Sequence, residues 1–252
     1  MGRGFGVDAG LPAEVASELA RRAEAAGYTS IWTTDTPRAD GLADLAAFAS
    51  GTTRIRLGVG VLPLDRRPPA AIVEQVRALG LPLDRLWLGI GSGASDRPLA
   101  LVREAIPPLR EALPGVAIAV AAMGPRMTRL AADLAEGVHL NWLTPNTIEN
   151  ARSLAGSASR AQLLMYVRAA LDPGGRERVG QEAARYAATR SAHFEANGVP
   201  VDQVGVAGPP GSFDAQLAPY EALLDETIVR ALPASPAPED LFALLEATRP
   251  PG

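Results

Sequence analysis

The residues Ala121, Ala122, Met123, Gly124 and Pro125 join an apolar run at 116–124 to the amphipathic stretch RMTRLAADLAEG. A turn of this kind leaves a strand and enters a helix, so unpaired backbone N–H groups point at whatever lies above the strand end. Small side chains there let an anion come close. Pro125 suits the first helical position, where its missing N–H is not needed. Taken alone, the turn reads more readily as a tight packing connection, and only its context can change that.

The other strand-end positions with chemical potential are Asp8; Thr34, Asp35 and Thr36; Gly60, Val61 and Pro63; Gly91, Ser92 and Gly93; Asn141 and Trp142; and Arg168. They include no paired carboxylates, no Ser–His arrangement and no metal-ligand cluster. Glycine-rich strand ends with few polar anchors suit a large, flat ligand that brings its own reactivity. Absences narrow the chemistry further. The chain has no Cys, only two His (His139 and His193), and its 24 basic residues are all Arg. Thiol nucleophiles, iron–sulfur clusters and structural zinc are thereby set aside. Without lysine there is no protein Schiff base and no Walker-type phosphate lysine.

Repeated units must position these groups: a short apolar run, then a helical pattern stopped by Gly or Pro. Strands are expected at 5–8, 30–34, 55–62, 86–90, 116–124, 138–142, 162–169 and 227–232. The intervening helices fall at 12–27, 42–48, 68–79, 99–113, 126–137, 148–154, 176–197 and 238–248, the fourth bent at Pro107 and Pro108. Residues 204–211 (VGVAGPPG) read as a surface loop before a short helix at 213–224. Eight alternating units with continuous apolar strands predict a parallel sheet closed into a (β/α)8 TIM barrel. The length of 252 residues matches one such domain, spanning 1–252. No GxGxxG fingerprint follows the first strand, which argues against an open dinucleotide fold.

With 47% hydrophobic residues, 21% charged residues and a net charge of −4, the chain reads as globular, with neither nucleic acid nor an anionic membrane as its partner. The longest apolar run is far short of the ~20 residues a membrane span needs. A strand-like start without a signal peptide makes a cytoplasmic protein with a small-molecule substrate the expectation.

Five motifs carry a resemblance: AEAAGYTSIWTTDT (23–36), TTRIRLGVGVLPLDRRPP (52–69), DRLWLGIGSG (84–93), VAAMGPRMTRLAADLAEGVHLNWLTP (120–145) and the closing ETIVRAL. In this order they resemble the bacterial luciferase-like monooxygenase superfamily, the flavin- and coenzyme F420-dependent oxidoreductases. The resemblance implies hydride transfer between F420, or FMN as runner-up, and a small organic substrate, and it implies a homodimer. The alternative is a cofactor-binding barrel with weak or vestigial catalysis. It further implies a cis peptide at Gly60-Val61 beneath the flavin ring. Gly91, Ser92 and Gly93 would line the cofactor tail, with Ala121, Ala122, Met123 and Gly124 as its phosphate cradle; Arg126 would add charge there or equally stand solvated or ion-paired on the helix. Asn141 and Trp142 follow the family's pattern at the sixth strand, where Trp142 would either wall the pocket or belong to the core. Asp35 and Thr36 match the positions where the family places Asp and His, although Thr36 cannot handle protons as His does. Asp35 equally suits a turn cap, and Asp8 is a candidate polar group at the pocket floor with capping of the following turn as its alternative. His139, between Val138 and Leu140, reads as a structural histidine with satisfied hydrogen bonds, and His193 has no site role. The chain is short for the family, with few of its insertions, and Ala94 and Arg97 stand where some F420 enzymes place a carboxylate.

Overall fold

The computed structural model describes residues 2–156 and 159–251. Its strands are β1 (Gly2–Val7), β2 (Ser30–Thr33), β3 (Arg56–Pro63), β4 (Leu86–Gly91), β5 (Ala117–Ala121), β6 (Gly137–Asn141), β7 (Gln162–Leu171), β8 (Val206–Gly208) and β9 (Glu226–Ala231). The helices are α1 (Ala13–Ala25), α2 (Gly41–Ser50), α3 (Pro69–Ala78), α4 (Pro98–Ala112), α5 (Pro125–Leu134), α6 (Pro145–Ala155), α7 (Gly175–Asn197), α8 (Phe213–Glu221) and α9 (Pro238–Ala247).

Strands β1 to β6 pair in sequence, β6 pairs with β7, β7 with β9, and β9 with β1, all in parallel. The chain is therefore a closed (β/α)8 barrel, as expected. One expectation is corrected. Residues 204–211 are not all loop, because β8 within them pairs with Ala169 to Leu171 at the C-terminal end of β7, the last two of which run past the pairing with β9. The strand has only three residues, too few to show an alternating pattern. Helix α4 runs unbroken through Pro107 and Pro108. Both prolines are exposed, so the carbonyls that lose a helical partner face water.

Inside the barrel, Trp32, Trp87, Leu164, Tyr166, Ile228 and Ala119 form a separate apolar cluster. Glycines on facing strands make room for the indoles: a Cβ on Gly58 would lie 2.2 Å from Trp32, and one on Gly137 would lie 2.9 Å from Trp87. At the N-terminal end the buried Glu226 accepts from Thr29 Oγ1 at 2.9 Å and pairs with Arg56 at 3.0 Å. Polar groups at that end of a barrel serve stability. The outer core lies between the sheet and the helices; on α2, for example, Leu42, Leu45 and Phe48 are fully buried. Each such side chain contributes about 1.5–3 kcal/mol through its burial. Among the described residues, no helix is long and apolar enough to cross a membrane.

Candidate functional site

A cleft of about 310 Å³ opens at the C-terminal ends of β3 to β7. That volume lies at the lower end of the range for small-molecule sites. Gly60, Val61 and Pro63 of β3 form one side, and Gly91, Ser92 and Gly93 continue it. Ala121, Met123 and Gly124 follow β5, and Met127 comes from α5. His139, Asn141 and Tyr166 lie at the ends of β6 and β7, while Tyr186 and Arg190 reach over from α7.

The floor depends on small residues. The register between β3 and β4 shifts between Val59 and Leu62, and the Gly60-Val61 peptide within that bulge is cis. A Cβ on Gly60 would fall 2.5 Å from His139 Cε1 and 2.6 Å from Tyr166 Oη. One on Gly89 would fall 2.3 Å from the Val59 carbonyl oxygen. Glycine at both positions is therefore what lets the bulge press against its neighbours. Gly93 has φ +60, and the loop around it is held by Asp65, which accepts from Ala94 N at 2.9 Å.

The turn after β5 has the shape of an anion cradle. Gly124 caps α5, with Pro125 at its start, so the N–H groups of Arg126 and Met127 have no intrahelical acceptor. A Cβ on Gly124 would meet nothing within 4 Å, so bare backbone faces the cleft. Ala122 is buried, with its N–H donating to the His139 carbonyl at 3.0 Å, and does not line the cleft. Arg126 is exposed and lies outside the lining.

His139 differs from its expected role. It is fully enclosed, and neither ring nitrogen has a hydrogen-bond partner among the described residues. Burial, with help from the charge of Arg168, pushes its pKa down to about 3, so the ring is neutral at ordinary pH. Its ring packs 4.6 Å from that of Tyr166, whose hydroxyl donates to the Thr33 carbonyl at 3.1 Å and whose pKa is raised by burial. The signal in the sequence was the alternation of β6, which turns Gly137, His139 and Asn141 to one face.

His193 also has a place. It is buried, with Nδ1 at 3.1 Å from the Met123 carbonyl and Nε2 at 2.9 Å from the Asn141 carbonyl. It thus ties the ends of β5 and β6 together from α7, a contact between distant segments that spacing does not reveal. Trp142 does not wall the cleft. It is buried, adopts a left-handed backbone at φ +54, and packs between Tyr186 and Phe194. A bulky residue with positive φ is strained, and such strain concentrates at functional sites. Here it follows directly on Asn141.

Asp35 and Thr36 lie away from the cleft lining. The Asp35 carboxylate is buried against Arg67 at 2.8 Å and accepts from Gly41 N at 3.2 Å. Thr36 Oγ1 accepts from Ala39 N at 3.1 Å, closing a turn. Asp8 pairs with Arg230.

Comparison with known proteins gives a consistent picture. Residues 3–104 match the family model of luciferase-like monooxygenases, so the resemblance is borne out there. An F420-dependent secondary alcohol dehydrogenase in complex with an F420-acetone adduct is 18% identical, with a TM-score of 0.72 over 99% of this chain and 100% of that one. The coenzyme F420-dependent tetrahydromethanopterin reductase from Methanopyrus kandleri is 16% identical, with a TM-score of 0.74 over 98% of this chain and 96% of that one. The oxygenating constituent of 3,6-diketocamphane monooxygenase from the CAM plasmid of Pseudomonas putida, in complex with FMN, is 16% identical, with a TM-score of 0.67 over 98% and 97%. At these identities the likeness is one of fold.

Proposed function

We propose that this luciferase-like barrel is an oxidoreductase that transfers hydride between a deazaflavin or flavin cofactor and a small organic substrate. Coenzyme F420 is the first choice of cofactor and FMN the second. The observation that carries the reading is the cleft itself, where a glycine-floored slot at β3 and β4 meets a bare helix N-terminus at Gly124. Those residues fit a ring and a phosphate. Gly60, Val61 and the Gly91 to Gly93 segment would hold the ring and chain, and the N–H groups of Arg126 and Met127 would take the phosphate. When bound, the cofactor supplies the hydride chemistry.

The chain's own residues bind, orient and exclude water. Met123, Met127 and Tyr186 give the cleft apolar walls, and the Tyr186 hydroxyl donates to Met123 Sδ at 3.4 Å, fixing one wall to α7. Neutral His139, enclosed beneath the cleft with neither ring nitrogen partnered among the described residues, adds no charge to the floor. The scarcity of acid–base groups in the lining suits hydride transfer, which requires little proton movement by the protein. The same reading takes the chain as one barrel domain acting on a small molecule.

Titration with F420 and with FMN, followed by fluorescence quenching, tests the reading. Micromolar or tighter binding of one, with reduction by a hydride donor, is the expected result; binding of neither overturns it. The withdrawal of Asp35 and Thr36 from the cleft favours a second reading, a cofactor-binding barrel with little turnover. Binding without hydride exchange across a panel of alcohols, ketones and enones would select that one.

A further inference from the structure

Arg168 on β7 is only 8% exposed, yet it forms no ion pair among the described residues. Its neighbour in register on β9 is Arg230, which pairs with Asp8. Glu182, the acid whose field reaches Arg168, is already engaged by Arg185 at 2.7 Å. The guanidinium does not line the cleft. It lies behind Asn141, 3.8 Å from the centre of the Trp142 ring and 5.9 Å from that of Tyr166. Its Nε has no partner, while Nη1 donates to Asn141 Oδ1 and, at 3.5 Å, to the Tyr166 carbonyl. Burial, with Arg230 beside it, pushes the pKa down to about 9, so the group still carries its charge at neutral pH. A buried cation without a counter-ion is unfavourable, and an apolar side chain of similar size would fill the same space at less cost.

What the cation does that an apolar residue could not is fix Asn141, which lines the cleft. Arginine donates and cannot accept, so the amide oxygen of Asn141 must face it, and the orientation of the amide is set. The backbone is pinned as well: His193 Nε2 lies 2.9 Å from the Asn141 carbonyl oxygen, and β6 pairs with β7 at Asn141 and Tyr166. The amide nitrogen of Asn141 has no acceptor among the described residues and, unlike the Arg168 Nε, is not sealed in. It is left to the cleft. A positive charge on the amide oxygen also polarises the group and strengthens its N–H donors. His139 and Tyr166 lie under Gly60, the floor assigned to the cofactor ring, and Asn141 stands two residues beyond His139 on the same face of β6. An acceptor that meets its amide therefore belongs to the ring.

We propose that the Asn141 amide nitrogen donates to a ring carbonyl oxygen of the bound cofactor, and that Arg168 is a positioning residue that aims and polarises this amide from behind. F420 and FMN both carry such carbonyls on the pyrimidinedione part of the ring, so the contact serves either. It lies on β6, apart from the α5 N-terminus assigned to the cofactor's phosphate. That the acceptor is a flavin-type ring rests on the oxidoreductase reading.

Asn141→Asp separates this role from a structural one, because it keeps an oxygen toward Arg168 and supplies the missing counter-ion while removing the donor. Urea unfolding, and fluorescence titration of the full chain with F420 and with FMN, are measured on each variant. Asn141→Asp should unfold at a higher urea midpoint than the unaltered chain, yet bind both cofactors about tenfold more weakly. Arg168→Met keeps the bulk and releases the amide, and should weaken both affinities by about threefold. Arg168→Lys, which also only donates, should recover most of that loss. Where Arg168→Met does not fold, Asn141→Asp decides alone. Unchanged cofactor affinity in Asn141→Asp overturns the donor. A lower urea midpoint in Asn141→Asp, unchanged affinity in Arg168→Met, or no recovery in Arg168→Lys overturns the positioning. In each of these cases, cofactor binding by the unaltered chain leaves the oxidoreductase reading standing. Binding of neither cofactor by the unaltered chain brings down both.

Discussion

Asp35 and Arg67 form a 2.8 Å ion pair in which the carboxylate is wholly enclosed and the guanidinium is 21% exposed. Arg67 also reaches Asp40 at 3.0 Å and Gln75 at 2.6 Å. The pair thus fastens the segment before α2 to the connection after β3, the strand that ends in the cleft residue Pro63. An acid held this way anchors a loop.

Asp35→Asn is accordingly expected to destabilise the fold by about 2 kcal/mol, less than a fully buried pair would lose because Arg67 meets solvent. Urea unfolding measures the loss. Cofactor affinity of the folded variant should stay within about threefold. A hundredfold drop in turnover at unchanged stability would return Asp35 to a catalytic role.

Gly58 is fixed by Trp32, whose ring atoms a Cβ would approach to 2.2 Å. Both partners sit in the barrel interior, where neither can move aside. Gly58→Ala should cost about 3 kcal/mol by overpacking. Adding Trp32→Phe should restore part of the loss, and strictly additive effects in the double variant would show that the two do not meet.

His139 makes stability depend on pH. Its folded pKa of about 3 lies below the ordinary value of 6.5, so between these values the unfolded chain binds the extra proton. The contribution is complete above pH 6.5 and is lost as pH falls toward 3, with a limiting slope of about 1.4 kcal/mol per pH unit. Urea midpoints between pH 4.5 and 7.5 should decline on acidification. His139→Gln should flatten that decline, and an unchanged slope would contradict the burial of a neutral ring.

Gly124 has φ −159, an extended conformation open to any residue, and free space around its Cβ position. Gly124→Asp should therefore fold normally while placing a negative charge in the cradle. We expect a loss of at least tenfold in F420 affinity, about 1.4 kcal/mol, with Gly124→Asn losing clearly less. Equal losses in the two variants would point to bulk rather than charge.

Chain order and element type were legible because apolar strands, amphipathic helices and Gly or Pro stops are local patterns. The turn at Gly124 could be recognised for the same reason: a small-residue strand end, a Pro at the first helical position and an amphipathic helix are all contiguous. His139 was misread because a histidine between two valine- or leucine-type neighbours looks the same whether its nitrogens are paired or bare. Only the face it turned to, and Gly60 beneath it, made the difference. Asp35 was ambiguous for a related reason, since a carboxylate after a strand can face a ligand or a neighbouring loop.

The sequence by itself determined the parallel eight-unit barrel, the chemistry excluded by the missing Cys and Lys, and the strand ends from which a site is built. Tertiary structure decided which of those ends converge. Closure of β9 on β1 set Arg230 beside Arg168 and gave Asp8 to only one of them, leaving one buried charge without a partner. The reason is physical: hydrogen-bonding and charge balance are settled between residues far apart in the chain, and residue type and spacing do not carry that information.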